Sequence, residues 1–126
     1  MGAAFVITPK QQFDTQMVRR LLTSHPGVIE EKNVPNSYIF AGDQASSIRV
    51  ANARATHPDE PHWVIYISVA PTAITVYREA MAEVLSSFRP VLIDLLTALP
   101  YETITDDEGR PFPKSETDVM ADTLLS

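Results

Sequence analysis

The order of apolar and polar positions along the chain is its most informative feature. AFVIT at 4–8 is dense in apolar and β-branched residues without polar alternation, which predicts a short strand covered on both faces. Pro9 ends it. In FDTQMVRRLLTSHPG, Asp14 stands where a helix N-cap belongs, and Phe13 and Val18 are spaced as a hydrophobic staple. Met17, Val18, Leu21 and Leu22 then form one apolar stripe. Thr8 with Pro9 at the first helical position offers an earlier start, but the stripe begins at Asp14. Pro26 and Gly27 stop the helix.

GVIEEKNVPNSYIFAG reads as a hairpin, with strands near 28–32 and 37–41 around Asn33, Pro35 and Asn36. SSIRVANAR, residues 46–54, alternates with Ile48 and Val50 on one side and Arg49 on the other, which predicts a strand with one wet face. Its expected partner is HWVIYISVA at 62–70, apolar enough on both faces for the middle of the sheet. Residues 55–61, ATHPDEP, then form the hairpin loop between them, with Pro58 and Pro61 holding the backbone near polyproline geometry.

The longest signal lies at 77–99. Tyr77, Met81, Val84, Leu85, Phe88, Leu92, Leu95, Leu96 and Leu99 recur at helical steps. Pro90 interrupts the run without shifting its phase, so the pattern predicts one kinked helix or two nearly collinear ones joined at Ser87 to Arg89. A strand at 101–105 and a turn at Asp107 to Gly109 follow. The tail SETDVMADTLLS predicts one or two helical turns capped by Ser115, with Val119, Met120, Leu124 and Leu125 as an apolar side that either docks on its own domain, binds another chain or frays.

The resulting order, β-α-β-β-β-β-α-β, predicts an α+β fold: an antiparallel sheet packed on one face by two main helices. A ferredoxin-like core with an inserted hairpin is one version. With 126 residues, residues 1–112 are expected as a single compact domain and 113–126 as an acidic C-terminal tail.

Composition narrows the class. Apolar residues make up 44% and charged residues 21% of the chain, as in ordinary globular proteins. Cysteine is absent, which removes thiol catalysis, disulfides and thiolate metal ligation. MGAAFVITPK has neither the basic start nor the apolar length of a secretory signal, and Val6 stands where myristoylation wants Ser or Thr. No apolar run approaches a membrane span. The expected location is the cytoplasm.

The net charge of −6 is unevenly placed. Residues 1–93 carry eight acids and eight bases, whereas the last 33 residues carry eight acids against Arg110 and Lys114 alone. Such an end repels phosphate backbones, which disfavours nucleic acid, and steers a basic partner. Asp106, Asp107, Glu108, Glu116, Asp118 and Asp122 are therefore the candidate partner-binding residues.

Candidate chemistry is concentrated in RATHPDEPHW, which puts His57, Asp59, Glu60 and His62 within six positions. These residue types ligate metals and move protons. A single loop rarely supplies three converging ligands, however, and the spacing matches no common zinc pattern. On a three-residue period His57 and Glu60 point one way and His62 diverges, so a polar connector is the expected role. No nucleophile elbow, phosphate loop or dinucleotide motif is present. Asp106 to Glu108 lack the calcium-loop pattern. His25, before Pro26, is placed to cap helix carbonyls. Trp63, Tyr66 and Tyr77 are the candidates for lining a ligand pocket between sheet and helices. No catalytic residue, metal or cofactor is assigned.

In size, acidity and lack of cysteine the chain resembles the small bacterial inhibitors that neutralise toxins and the accessory chaperones of secretion systems. The expected function is thus a non-enzymatic protein-binding module for a partner with a basic surface. The alternative is a small-molecule-binding or enzymatic domain.

Overall fold

A computed structural model describes residues 4–60 and 62–126; the expected roles of Gly2, Ala3 and Pro61 lie outside them. The elements run β1 (Ala4–Pro9), α1 (Thr15–Thr23), β2 (Val28–Glu30), β3 (Ser37–Phe40), α2 (Gln44–Thr56), β4 (Ile65–Ala70), β5 (Ala73–Tyr77), α3 (Ala82–Ala98), β6 (Tyr101–Asp106) and α4 (Thr117–Leu125). The six strands form one sheet in the order β2-β3-β4-β5-β1-β6, every neighbouring pair antiparallel. The molecule is therefore α+β, with β4 in the interior of the sheet as its apolar sequence requires.

Strand alternation divides the sheet into two faces. The inner face presents Phe5, Ile7, Tyr38, Phe40, Ile65, Ile67, Ile74, Val76 and Ile104, all buried in one core with Val18 and Leu22 of α1 and Phe88, Leu92 and Leu95 of α3. Two main helices on one face is the expected arrangement. The outer face is covered only in part: α2 lies across β2 and β3, where Ile39, Ala51 and Val64 form a second, smaller core with Ile29, Val50 and Tyr66 against it.

The first helix starts where its signals coincide. Asp14 caps α1, its carboxylate accepting from the backbone N–H of Gln16 at 3.0 Å and of Met17 at 3.3 Å, while Phe13 and Val18 are both buried. The earlier start at Thr8 is not used, because Thr8 and Pro9 belong to β1.

The sequence expectation fails at 46–54, which is helix rather than strand. Asp43 is extended and accepts from Ser46 N–H at 2.7 Å, an N-cap that launches α2. Gly42, at φ +103°, turns the chain out of β3 just before it. The helix turns small residues, Ser47 and Ala51, one turn apart, toward the sheet and leaves Ile48 exposed. The Ile48–Val50 alternation that suggests a strand is thus not one buried face: Val50 packs against the smaller core while Ile48 is exposed. Residues 57–64 consequently link a helix to β4 and are not a hairpin loop.

A second correction concerns 73–77. Ala73 to Tyr77 form β5, hairpinned to β4 through Pro71 and Thr72, with Ile74 and Val76 buried. Tyr77 matched the helical stripe in phase but belongs to this strand, and α3 begins only at Ala82. From there α3 is continuous through Pro90. Pro90 and Ser86 are both exposed, so the hydrogen bond lost at Pro90 falls on the solvent side of α3, where water is at hand for the freed carbonyl.

The tail forms α4, capped at Glu116 rather than Ser115. Met120, Ala121 and Leu124 are buried in the main core against α3, whereas Val119, expected on the apolar side, is exposed. Among the described residues no helix is long and apolar enough to cross a membrane.

Candidate functional site

Four of the six candidate acids of the last third, Asp106, Glu108, Asp118 and Asp122, meet arginines of the chain. Asp106 closes the turn after β6: one carboxylate oxygen accepts from the backbone N–H of Glu108 and of Arg110, both at 2.9 Å, and the other from Arg110 Nε at 3.2 Å. Those bonds, the Arg110 N–H first, hold the Asp106 carboxyl below the usual carboxylate range. Glu108 pairs with Arg110 at 2.7 Å. On α4, Asp122 accepts from Arg89 Nε at 2.8 Å and Asp118 stands 3.9 Å from the same guanidinium. The hydrogen bond that Arg89 donates to Asp122 pushes Arg89 further toward its charged form. Arg89 lies on α3, outside the acidic third. Glu116 is exposed at the N-cap of α4, and Asp107 is exposed in the turn.

A different set of carboxylates is left unpaired. Asp59 and Glu60 follow the end of α2, and Glu79 follows β5; none of the three has an ion-pair partner among the described residues. They line one open cavity of about 320 Å³ together with Arg54, Pro58, His62, Trp63 and Tyr66. The placement follows from the fold. The end of α2 hangs beside the start of β4, and the β4–β5 register sets Tyr66 opposite Tyr77, two residues before Glu79. Trp63 is 66% exposed, an unusual state for the largest apolar side chain.

Two of the three aromatic candidates, Trp63 and Tyr66, thus share a cavity. Tyr77 is the strand neighbour of Tyr66 on the same outer face and is itself exposed. The cavity lies between the outer face of the sheet and the end of α2. The seam beneath α1 and α3 is occupied by side chains such as Phe5, Tyr38 and Phe88.

Beneath the cavity is a polar network. Arg54 lies over the Tyr66 ring, its guanidinium carbon 4.4 Å from the centroid, and donates from Nη1 to the Tyr66 hydroxyl at 3.4 Å and from Nε to Glu31 Oε2 at 3.3 Å. Ser37 Oγ donates to the other oxygen of Glu31 at 3.0 Å. The Glu31 side chain is only 8% exposed. Burial pushes the Tyr66 hydroxyl above its ordinary pKa, against the opposing pull of Arg54. Arg54, Glu31 and Glu79 were not singled out from the sequence. The usable signal was the Asp43 cap, which makes 44–56 a helix and brings Arg54 to its last turn.

The histidine-rich stretch leaves α2 in a turn closed by the Glu60 N–H on the His57 carbonyl at 3.2 Å, not in polyproline geometry, and Glu60 lines the concavities of both histidines. His57 lines a neighbouring concavity with Thr56, Pro58, Asp59 and Glu60, whereas His62 lines the cavity of Trp63. Among the described residues, no three His, Asp or Glu side chains converge as a metal cage. His25 does not cap a carbonyl through its ring: Nε2 is 2.6 Å from Asp94 Oδ2, tying the end of α1 to α3.

The arrangement around Trp63 attracts cations and offers a flat apolar surface to whatever they are attached to. Comparison with family models, with curated proteins and with solved structures finds no match for the chain.

Proposed function

We propose that the chain is a non-enzymatic module that binds a partner protein with a basic surface, of the inhibitor or accessory-chaperone type, in the cytoplasm. The observation that carries this reading is that Asp59, Glu60 and Glu79, without ion pairs among the described residues, line one open cavity with the exposed ring of Trp63. Exposed aromatic anchors ringed by charge are typical of binding surfaces, where the anchor holds the complex and the charge accelerates and orients encounter. The C-terminal carboxylates Asp106, Asp107, Glu108, Glu116, Asp118 and Asp122 add to the outer field. Arg89 and Arg110 blunt it by pairing with four of them, Asp106, Glu108, Asp118 and Asp122.

The test begins with affinity purification of the tagged chain from its host and continues with association kinetics of the captured protein at several salt concentrations. The triple variant Asp59→Asn, Glu60→Gln, Glu79→Gln should associate more slowly and lose most of the salt dependence. Asp106→Asn, Asp107→Asn, Glu108→Gln should do so far less. If both triple variants bind with wild-type rates and salt response, the acidic-surface reading is wrong.

A second reading uses the same cavity for a small molecule, since about 320 Å³ with two aromatic walls falls at the lower end of ligand-pocket sizes, roughly 300–1,000 Å³. A metabolite that raises the thermal midpoint of the wild type but not of Trp63→Ala would favour it.

A further inference from the structure

Inside the fold, one arginine is already held by the combination that the cavity presents to solvent. Arg54 stacks on Tyr66 while its edge donates to the enclosed carboxylate of Glu31. Beside it, Trp63 offers a larger ring, largely exposed, and Asp59, Glu60 and Glu79 supply carboxylates that lack ion pairs among the described residues. This second seat has the same two ingredients, and among the described residues no ion pair joins its carboxylates to a cation. The charge of Arg54 is answered by Glu31, so three negative charges remain to set the sign of the cavity.

Resting on the protein-binding reading above, we infer that the cavity seats the guanidinium of an arginine side chain of the basic partner, stacked on the Trp63 indole and hydrogen-bonded to the surrounding carboxylates. Charge complementarity requires a cation, and tryptophan is the best aromatic face for one. The guanidinium is planar and carries its five donors around its edge, so it can lie on a ring and reach carboxylates at the same time. An ammonium has no flat face to stack and is more strongly hydrated.

Trp63 is the only tryptophan in the chain, so its fluorescence reports the seat directly. The full chain is titrated at low salt with a blocked Gly-Arg-Gly-Arg-Gly peptide and with matched peptides carrying lysine or the neutral isostere citrulline. The arginine peptide should change the emission saturably, the lysine peptide should bind several-fold more weakly, and the citrulline peptide should give no saturable change. Asp59→Asn, Glu60→Gln, Glu79→Gln should weaken the arginine peptide roughly tenfold with an unaltered circular dichroism spectrum. Trp63→Leu, followed by calorimetry, should bind it at least as poorly. Equal binding of the citrulline or lysine peptide, or unchanged affinity in the triple variant, overturns the inference. A chain that fails these titrations yet still captures a basic protein in a salt-sensitive way loses the arginine seat and keeps its protein-binding role.

Discussion

Arg54 and Glu31 show how much one pair can hold in place. Glu31 is almost enclosed, and its two oxygens are taken by Ser37 and Arg54. Removing the cation alone strands a buried charge, which is far costlier than removing both partners together. Arg54→Met should therefore lower stability by about 3 kcal/mol, and Arg54→Met with Glu31→Met should recover most of that loss, as read from urea midpoints at constant m. A loss that does not recover would mean that the contact between Arg54 and Tyr66, and not the ion pair, sustains the outer core. Tyr38 presents the opposite situation. Its ring is fully buried, its hydroxyl has no hydrogen-bond partner among the described residues, and burial raises its pKa. An enclosed hydroxyl without a partner keeps its desolvation cost and gains nothing for it. Tyr38→Phe should thus leave the protein equally stable or stabilise it by roughly 1 kcal/mol; a clear loss on denaturant unfolding would reveal a partner such as enclosed water.

Elements were legible in the sequence wherever two independent signals agreed. The cap at Asp14, the stripe through Val18 and Leu22, and the Pro26–Gly27 stop all point to α1, and Ile65, Ile67 and Val69 bury one face of β4 as their alternation implies. At 44–56 period alone misleads: Ile48 and Val50 alternate, but the buried residues of α2 are Ser47 and Ala51, too small to mark a hydrophobic face. Asp43, three residues before the Ser46 N–H it accepts from, was the stronger signal. β5 was lost because Tyr77 falls in phase with the stripe of α3, although the β-branched run Ile74-Thr75-Val76 pointed to a strand. The cavity was half legible for the same reason. Trp63 and Tyr66 are conspicuous as aromatics, whereas Arg54 and Glu79 reach them only through the position of α2 and the β4–β5 register. Asp43 also gives α2 a pH dependence. The Ser46 N–H, followed by the other bonds at the helix start, holds its carboxyl below the ordinary value of 3.8. A depressed folded pKa contributes stability that is present above the unfolded value and lost as pH falls through the folded one. Asn caps a helix about as well but does not titrate. The difference in thermal midpoint between wild type and Asp43→Asn should accordingly shrink as pH drops below the usual carboxylate range. A difference that stays constant into acid would show that the charge at Asp43 is not what steadies the start of α2.

Across the whole molecule, charge along the chain and charge in space prove to be different distributions. The sequence puts its surplus in the last third, but the packing of α4 on α3 lends Arg89 to Asp118 and Asp122, and the turn after β6 brings Arg110 back onto Asp106 and Glu108. Asp59, Glu60 and Glu79 around Trp63, by contrast, have no ion pair among the described residues. A low-dielectric wall beside like charges focuses their field into solvent and enriches small cations there. This has a consequence that needs no partner. Caesium ions should quench Trp63 fluorescence more efficiently than iodide does, by a margin larger than for free tryptophan under the same conditions. Because the enrichment is electrostatic, the margin should narrow as an inert salt brings the Debye length toward about 3 Å at 1 M. It should also fall in Asp59→Asn, Glu60→Gln, Glu79→Gln, but persist in Asp106→Asn, Asp107→Asn, Glu108→Gln. Equal quenching by the two ions in the wild type would show that no focused negative field exists at the ring, and the acidic seat would then have to be sought elsewhere on the surface.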